Sequence, residues 1–481
     1  MELQLAYQSH LQRYGTKYEA LYHAVRETIV TGLVPYGAKL PSSRELAATY
    51  GLSRGTVNQV YDMLAAEGYV TAGVGSGTFA AFLELKAGRE ATDLAAIRLS
   101  AWGERVARAT QDSGRAFSAA VGGADAVRFA PGLPDAASFP QREWARCLYA
   151  AAREQLRMER AEAFAAQGHL PLREAIAAHL RRSRGMDADA ERIVVTGGSM
   201  QAIALLAQLL AGADDGVVVE EPGYSGIRAA VAAAGGRLVP APVDAHGIVV
   251  QGWQAKLAFV TPGRQYPTGA VLPLERRQAL LAWAGQRGAF VVEDDYDSEF
   301  RHRGRPVEPL QVLDEEGRVV YIGTFSKTMP PELRIGFVLL PLRLVRPFVA
   351  AKRLFEPHPA SLLEQRALAA FMSGGMYERH LRRMKRIYGR RFALLGGLLR
   401  EKLADRFEVV PSDAGLHLFA WWTGTSEAYG LYREACRAAG VEWSDGGSDM
   451  APGHRPFACF GFGHLPEERI REGIERMALV R

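Results

Sequence analysis

The chain contains 481 residues, of which 48% are hydrophobic and 23% are charged, and its formal net charge at pH 7 is +5. These proportions are those of an ordinary globular protein, and they exclude a fibrous or wholly disordered chain. No uninterrupted apolar stretch approaches the ~20 residues of a bilayer span, and the first residues lack the pattern of a secretion signal. We therefore expect a cytoplasmic protein that does not cross a membrane.

The cysteines indicate neither a disulfide framework nor a metal site. Cys147, Cys436 and Cys459 lie far apart and show no Cys-x-x-Cys spacing. We expect them to be buried thiols without a chemical role, and we expect no bound metal.

The first eighty residues predict three helices followed by a β-hairpin. Apolar residues recur at helical spacing over residues 18–30, which indicates an amphipathic helix. Residues 39–64 predict two short helices separated by a turn at Gly51, with Ser53 as the cap of the second helix. Residues 69–80 predict two strands around a glycine-rich turn. Two helices joined by such a turn are able to place the second helix in the major groove of DNA.

Four motifs in this segment, PSSRELA, GLSRGTV, EGYV and GSGTF, together resemble the GntR-type winged helix-turn-helix. The resemblance implies a DNA-binding domain over residues 1–80 whose partner is double-stranded operator DNA. By position it implies contacts with DNA from Arg44, Ser53, Arg54, Gly55, Thr56, Asn58 and Gly75. A helix pair without a role in recognition is the alternative. The segment has six basic and six acidic residues, so a few well-placed arginines and dimeric binding must supply the phosphate contacts.

The remainder of the chain predicts a linker and then an α/β domain. Residues 81–127 show a weak pattern, and we interpret them as an interdomain linker. From Phe129 onward, apolar strands alternate with helices of ten or more residues, which predicts a mostly parallel, buried sheet. The predicted strands begin near Ile193, Val217, Leu257, Phe290 and Val319. Ligands of such sheets bind at the carboxyl ends of the strands.

Polar and aromatic residues follow two of the predicted strands. The sequence TGGSMQ at 196–201 opens a helix, so its backbone amides and Ser199 suit a phosphate group. The sequence EPGY at 221–224 places Tyr224 where its ring offers a stacking surface, although plain core packing is the alternative.

Charged residues follow two further strands. The sequence EDDYDSEF at 293–300 is dense in carboxylates, which indicates either a metal site or a carboxylate that keeps a pyridine nitrogen protonated. The sequence GTFSK at 323–327 ends with Lys327, and a desolvated lysine has a lowered pKa that suits Schiff-base formation with an aldehyde. Arg334 follows and is able to bind a phosphate group. We favour the pyridine interpretation because these features occur together.

EPGY, EDDYDSEF, GTFSK and LRIG at 333–336 resemble the motifs of fold-type I aminotransferases that depend on pyridoxal 5'-phosphate (PLP). With the front domain, the chain is similar to the MocR/GabR family of bacterial regulators. This resemblance implies a PLP-binding large domain over 128–345 and a small C-terminal α+β domain over 346–481. It implies that Lys327 is the Schiff-base lysine, that Asp294 meets the pyridine nitrogen and that Tyr296 meets the ring hydroxyl. It further implies that Tyr224 stacks on the ring and that Ser199, Met200, Thr324 and Arg334 surround the phosphate.

Two departures bear on activity. Tyr266 stands where active aminotransferases usually have asparagine before Pro-x-Gly, and Cys459 stands where relatives usually keep the arginine that binds a substrate carboxylate. Arg228 or Arg455 is a candidate substitute. We therefore expect a homodimeric regulator whose PLP domain senses PLP, an amine or an amino-acid-like effector rather than an enzyme with steady turnover. An active aminotransferase with an appended DNA-binding module is the alternative.

A basic segment lies in the predicted small domain. Residues 351–400 contain eleven lysines and arginines but three acidic residues, with most of the cations between Arg379 and Arg391. A solvated helix face is the simplest interpretation. A surface that faces DNA or another partner is the alternative.

Overall fold

The computed structural model describes residues 7–73, 77–82, 99–111, 125–157, 166–304, 306–445 and 455–480. The chain divides into two compact units, Met1–Arg98 and Leu99–Arg481. Within the described ranges, no helix is long and apolar enough to cross a membrane.

The first unit is built from four helices and a two-stranded antiparallel sheet. Its elements are α1 (Tyr7–Tyr14), α2 (Lys17–Val30), α3 (Ser43–Tyr50), α4 (Arg54–Ala66), β1 (Val70–Gly73) and β2 (Gly77–Ala80). Leu21 and Val25 of α2 pack with Leu46 of α3 and with Val57 and Leu64 of α4 in one buried core. Helices α2, α3 and α4 form at the predicted positions because the apolar residues of each helix share one face.

Local caps set the boundaries of the two central helices. Ser42 and Glu45 form a reciprocal capping box at the start of α3, and α3 ends at Gly51, whose φ of 64° lies in the left-handed region. The Ser53 hydroxyl accepts the backbone N–H of Thr56 at 3.0 Å and so caps α4. Caps on both sides of the turn therefore fix where α4 begins.

The second unit contains an eight-stranded main sheet and a three-stranded sheet. Strands of the main sheet are β4 (Ile193–Thr196), β5 (Gly216–Glu221), β6 (Arg237–Asp244), β7 (Gly247–Ile248), β8 (Leu257–Val260), β9 (Phe290–Asp295), β10 (Val319–Thr324) and β11 (Gly336–Leu339). Their order is β4-β11-β10-β9-β8-β5-β6-β7. The run from β10 to β6 is parallel throughout, whereas β4, β11 and β7 pair antiparallel. The predicted α/β class is therefore confirmed.

Helices cover both faces of the main sheet. They are α5 (Ala101–Gln111), α6 (Gln141–Arg157), α7 (Leu170–Arg184), α8 (Ser199–Leu210), α9 (Ser225–Ala234), α10 (Leu274–Arg287), α11 (Leu342–Phe355) and α12 (Leu362–Ser373). In β5, Val217 and Val219 pack in one buried cluster and Val218 packs in another, so alternate residues serve opposite faces. Burial on both faces explains why these strands are continuous apolar runs.

The C-terminal part combines the small sheet with long helices. Its elements are α13 (Met376–Lys402), β12 (Phe407–Val409), β13 (His417–Trp422), α14 (Ser426–Ala438), β14 (Val441–Trp443), β15 (Phe457–Gly461) and α15 (Glu467–Leu479). The strand β3 (Val127–Phe129) does not join the main sheet, because it pairs in parallel with β14. Phe129 and Val127 are fully buried in the core of this C-terminal part.

Candidate cofactor site and DNA-contacting helix

Polar residues from several loops meet at one edge of the main sheet. Strands β9 and β10 are parallel neighbours, with Ile322 opposite Asp294 and Gly323 opposite Asp295. Because parallel strands end at the same edge, the loop that carries Lys327 leaves the sheet beside the loop that carries Tyr296. This register brings the ends of β9 and β10, which precede Tyr296 and Lys327, to one edge of the sheet.

Lys327 is half-buried at this edge. Its Nζ donates a hydrogen bond to the backbone carbonyl of Gly132 at 2.9 Å. Burial lowers the pKa of Lys327, and the nearby charges of Asp297 and Asp294 partly oppose that effect. Gly132 has a φ of +78°, and a Cβ there would lie 2.3 Å from the lysine Nζ. A side chain at this position would be strained by the positive φ and would displace the lysine amine.

One oxygen of the Asp294 carboxylate, Oδ1, has no hydrogen-bond partner among the described residues. The residue is 6% exposed, and among the described residues its Oδ1 is a buried oxygen that accepts no hydrogen bond. Burial and the neighbouring charge of Asp295 raise the pKa of Asp294 to about 7. A buried, unsatisfied carboxylate costs free energy unless a cationic or hydrogen-bonding group meets it.

The start of α8 forms a cradle with an arginine beside it. Gly198 caps α8 with a φ of 95°, and Ser199 is the first helical residue. A Cβ on Gly198 would lie 2.8 Å from the Arg334 guanidinium. Ser326 donates its backbone N–H to the Thr324 hydroxyl at 3.2 Å. Helix N–H groups, hydroxyls and an exposed guanidinium are the groups that bind phosphate.

Three tyrosines form a chain of edge-on rings beside the cradle. The Tyr266 ring is perpendicular to that of Tyr224 at 5.9 Å and to that of Tyr296 at 5.8 Å. A Cβ placed on Gly226 would lie 2.6 Å from the Tyr224 ring and 2.8 Å from the Met200 sulfur. The sulfur and the ring are therefore close to each other. Tyr224 is 37% exposed, so its ring keeps an uncovered surface.

Arg264 is a member of the site that the sequence prediction missed. Its guanidinium is buried and donates to the Tyr296 hydroxyl at 2.9 Å, to Asp297 Oδ2 at 3.0 Å and to the His417 carbonyl at 2.9 Å. Burial raises the pKa of Asp297, and the charge of Arg264 opposes that rise. The sequence did offer a signal for Arg264, because it follows the end of β8 just as Tyr224 follows the end of β5.

Two further acids of the EDDYDSEF motif, Glu293 and Asp295, have structural partners. Glu293 accepts the backbone N–H groups of Leu310 and Gln311 at 2.9 and 3.0 Å. Asp295 forms an ion pair with Arg184 at 2.5 Å. In the part of the chain that the structure describes, no group of three His, Cys, Asp or Glu residues is arranged to hold a metal ion.

The two candidate carboxylate-binding arginines are engaged elsewhere. Arg228 forms an ion pair with Glu221. Arg455 forms an ion pair with Glu408 at 2.8 Å. Cys459 lies in β15, where burial raises the pKa of its thiol to about 12 against the opposing effect of Arg264.

Most of the residues predicted to contact DNA lie at the start of α3, in the cap before α4 and in the first half of α4. Arg44, Ser53, Arg54, Gly55 and Asn58 are exposed, and Thr56 is half-buried. Arg54 and Asn58 are one helical turn apart and therefore share one face of α4. Gly75, the predicted contact in the wing, lies outside the described residues.

Comparison with known proteins assigns both units to families. Residues 17–80 match the family of bacterial regulatory proteins of the gntR type, and residues 138–445 match the aminotransferase class I and II family. The chain is similar to the kynurenine aminotransferase of Pyrococcus horikoshii, with a TM-score of 0.67 and 25% identity over 80% of this chain and 95% of that one. PLP is therefore the cofactor of the second unit.

Two regulators are similar to almost the whole chain. The probable rhizopine catabolism regulatory protein MocR of Rhizobium meliloti is 37% identical over 95% of this chain and 92% of its own length. The pyridoxine biosynthesis transcriptional regulator PdxR of Corynebacterium glutamicum is 32% identical over 82% of this chain and 81% of its own. This chain therefore belongs to the MocR-type family of PLP-dependent transcriptional regulators, in which a GntR-type winged helix-turn-helix is fused to an aminotransferase-like domain.

Proposed function

We propose that the second unit is a sensor that holds PLP on Lys327 and reports the presence of an amine or amino-acid-like effector to the DNA-binding unit. The observation that carries this proposal is the lysine amine placed near Asp294, whose buried Oδ1 has no hydrogen-bond partner among the described residues. PLP, when bound, supplies an aldehyde that reacts with primary amines and a ring that accepts negative charge.

Lys327 is suited to react as a neutral amine. Its environment lowers its pKa because burial disfavours the ammonium form. The Gly132 carbonyl accepts a hydrogen bond from the amine, and this bond holds the amine at the edge of the sheet. A lysine whose pKa is lowered in this way is a better nucleophile than a fully solvated lysine.

The surroundings of Lys327 fit the remaining parts of the cofactor. The unpartnered Oδ1 of Asp294 would accept a protonated pyridine nitrogen, which would offset the cost of burying that oxygen. Ser199, Thr324 and Arg334 would bind the phosphate at the start of α8, with Met200 beside them. The uncovered ring of Tyr224 would stack on the pyridine ring.

Arg264 positions Tyr296 in this arrangement. Its N–H donates to the Tyr296 oxygen, so the phenolic hydrogen is left to donate to the ring oxygen of the cofactor. Asp297 compensates the guanidinium charge within hydrogen-bond distance. A buried pair of this kind holds a side chain in one orientation because breaking it would leave an uncompensated charge.

Three features support sensing rather than steady turnover. The thiol of Cys459 is neutral at physiological pH and cannot bind a carboxylate as an arginine does. Arg228 is already paired with the buried carboxylate of Glu221. Arg455 pairs with Glu408 at the surface, where such a pair holds the arginine only weakly. An effector that lacks a firm carboxylate anchor would bind mainly through its amine, so we infer that simple amines and amino-acid-like compounds, or PLP itself, form the effector class.

The effector must act on the arrangement of two DNA-binding units. Helix-turn-helix proteins bind two half-sites as dimers, so we propose that the regulator is a homodimer. A ligand shifts an equilibrium between two arrangements only if it interacts differently with them. The effector site at Lys327 is where that difference would arise.

Asp294→Asn should weaken PLP binding at least ~10-fold, because the loss of a charge-assisted partner for the pyridine nitrogen costs about 1.4 kcal/mol or more. The measurement is a titration of cofactor-free protein with PLP, followed by absorbance. Asp187→Asn, which changes an exposed aspartate, is the matched control and should bind PLP as the wild type does. If Asp294→Asn and the control bound PLP with equal affinity, Asp294 would not be the partner of the pyridine nitrogen.

An aminotransferase with an appended DNA-binding module is the second candidate function, favoured by the intact lysine and carboxylate of the site. It requires repeated conversion of an amino donor and a keto acid by the purified protein. We expect at most one equivalent of product per PLP, measured by mass spectrometry. Sustained turnover at physiological substrate concentrations would contradict the proposal of a sensor and would show that the protein is an active aminotransferase.

A further inference from the structure

A basic cavity lies on the C-terminal part of the second unit. Its volume is about 980 Å³, and residues from α13 and from the loop after β9 line it. The lining residues are His302, Arg303, Arg382, Lys385, Arg386, Gly389, Arg390, Phe392 and Ala393. Five of these side chains are lysine or arginine, and none of the described lining residues is acidic.

The cations of this cavity occupy an exposed face of α13. Arg382, Lys385, Arg386 and Arg390 are all exposed to solvent. Arg391, which ends the basic segment in the sequence, points the other way and is buried in an ion pair with Asp135 at 2.7 Å. We refer to Arg303, Arg382, Lys385, Arg386 and Arg390 as the α13 basic surface.

Most of this charge is not compensated within the protein. Across the described ranges, Arg382, Lys385 and Arg386 form no ion pair with an acidic side chain. Arg390 pairs with Glu467 at 3.3 Å, but their side chains are 70% and 39% exposed. An exposed pair of this kind contributes little to stability, so the surface is available to an external anion.

The DNA-binding unit does not carry an excess of positive charge. Its first eighty residues contain six basic and six acidic side chains. Affinity for DNA depends largely on neutralising phosphates, and it grows with the number of such contacts. A protein with an electroneutral reading unit therefore gains affinity if a second surface supplies phosphate contacts.

We propose that the α13 basic surface binds phosphate groups of the DNA duplex outside the bases that α4 reads. Arg382 and Arg390 are eight residues apart on one helix, which spans ~12 Å at 1.5 Å per residue. One strand of duplex carries a phosphate every ~3.4 Å of axis, so this length faces several phosphates. The surface recognises charge, so it adds affinity without sequence preference.

The test compares two triple variants of the full chain with the wild type. One variant is Arg382→Gln, Lys385→Gln and Arg386→Gln. The other is Arg237→Gln, Arg287→Gln and Arg343→Gln, which removes three exposed arginines from elsewhere in the second unit and keeps the net charge equal. Fluorescence anisotropy with a labelled mixed-sequence duplex gives Kd over a range of salt concentrations.

The first variant should bind the duplex at least ~10-fold more weakly, and the slope of log Kd against log salt should fall by about 2 to 3. The control variant should keep the wild-type slope. Equal slopes in both variants would overturn the proposal. It would also be overturned if the first variant lost binding of inorganic phosphate while it kept the wild-type DNA slope, because the cavity would then serve a small anion. A changed oligomeric mass that accounts for the whole loss would overturn it as well.

Discussion

Lys327→Ala should abolish the effect of amines on DNA binding and leave DNA binding itself measurable. The lysine amine is the group through which PLP would be held, so its removal takes away both the near-visible absorption of the bound cofactor and the site at which an amine replaces the lysine. The residues of α4 that are predicted to contact DNA belong to the other compact unit and retain their own caps and core. Absorbance and anisotropy measured on the same samples give both results.

Lys256→Ala is the control for this variant, because Lys256 is an exposed lysine at the start of β8. It should keep the absorption band and the response to amines. Lys327→Arg keeps a long basic side chain but forms no imine with PLP under these conditions, so it separates the loss of the side chain from the loss of its chemistry. A wild-type response to amines in Lys327→Ala would show that the effector acts at another site.

Arg54→Ala should weaken binding to the preferred DNA sequence by about 10- to 100-fold, because one arginine contact with a base edge or phosphate contributes about 1–3 kcal/mol. Arg54 is exposed in the first turn of α4, the part of a recognition helix that enters the groove. The probe is a duplex selected by the wild-type protein from a random pool, and the readout is anisotropy at fixed salt.

Lys17→Ala is the matched control within the same unit. Lys17 is exposed at the start of α2, away from the turn between α3 and α4, and its loss should change the affinity by less than about twofold through screened charge alone. Similar losses in Lys17→Ala and Arg54→Ala would mean that α4 does not enter the groove.

Local patterns were sufficient to predict most of the fold. The strands near Ile193, Val217 and Val319 appear where apolar runs predicted them, because strands buried on both faces must be continuously apolar. The candidate residues of the cofactor site could be chosen because parallel strands end at one edge, so the loops that carry Tyr224 and Lys327 leave the sheet on the same side.

Long-range pairings could not be predicted in the same way. The hydrogen bond from Lys327 to Gly132 joins residues 195 positions apart, and that from Arg264 to the His417 carbonyl joins residues 153 apart. Neither glycine nor arginine carries a local signal for a partner at such a distance. The pairing of Val127–Phe129 with Val441–Trp443 could not be predicted either, because the sequences of two short apolar strands do not specify which strands they pair with.

In the basic segment, helical periodicity would have shown which arginines are exposed and which are buried. Arg390 and Arg391 are neighbours in the sequence, but the first is exposed and the second is buried against Asp135. Successive residues of a helix are ~100° apart, so a run of arginines on α13 must divide between the surface and the interior. Counting charges alone treats them as one group.

The central claim is that PLP held in the second unit connects an amine signal to DNA binding. The most direct measurement is a titration of PLP-loaded wild-type protein with amino acids, D-amino acids and small amines, in which absorbance and the anisotropy of a labelled duplex selected by the wild-type protein are recorded together. We expect an absorption band that shifts with one class of compound, and a change in anisotropy over the same concentration range. No band at saturating PLP, or a band that shifts while the anisotropy stays constant, would contradict the account.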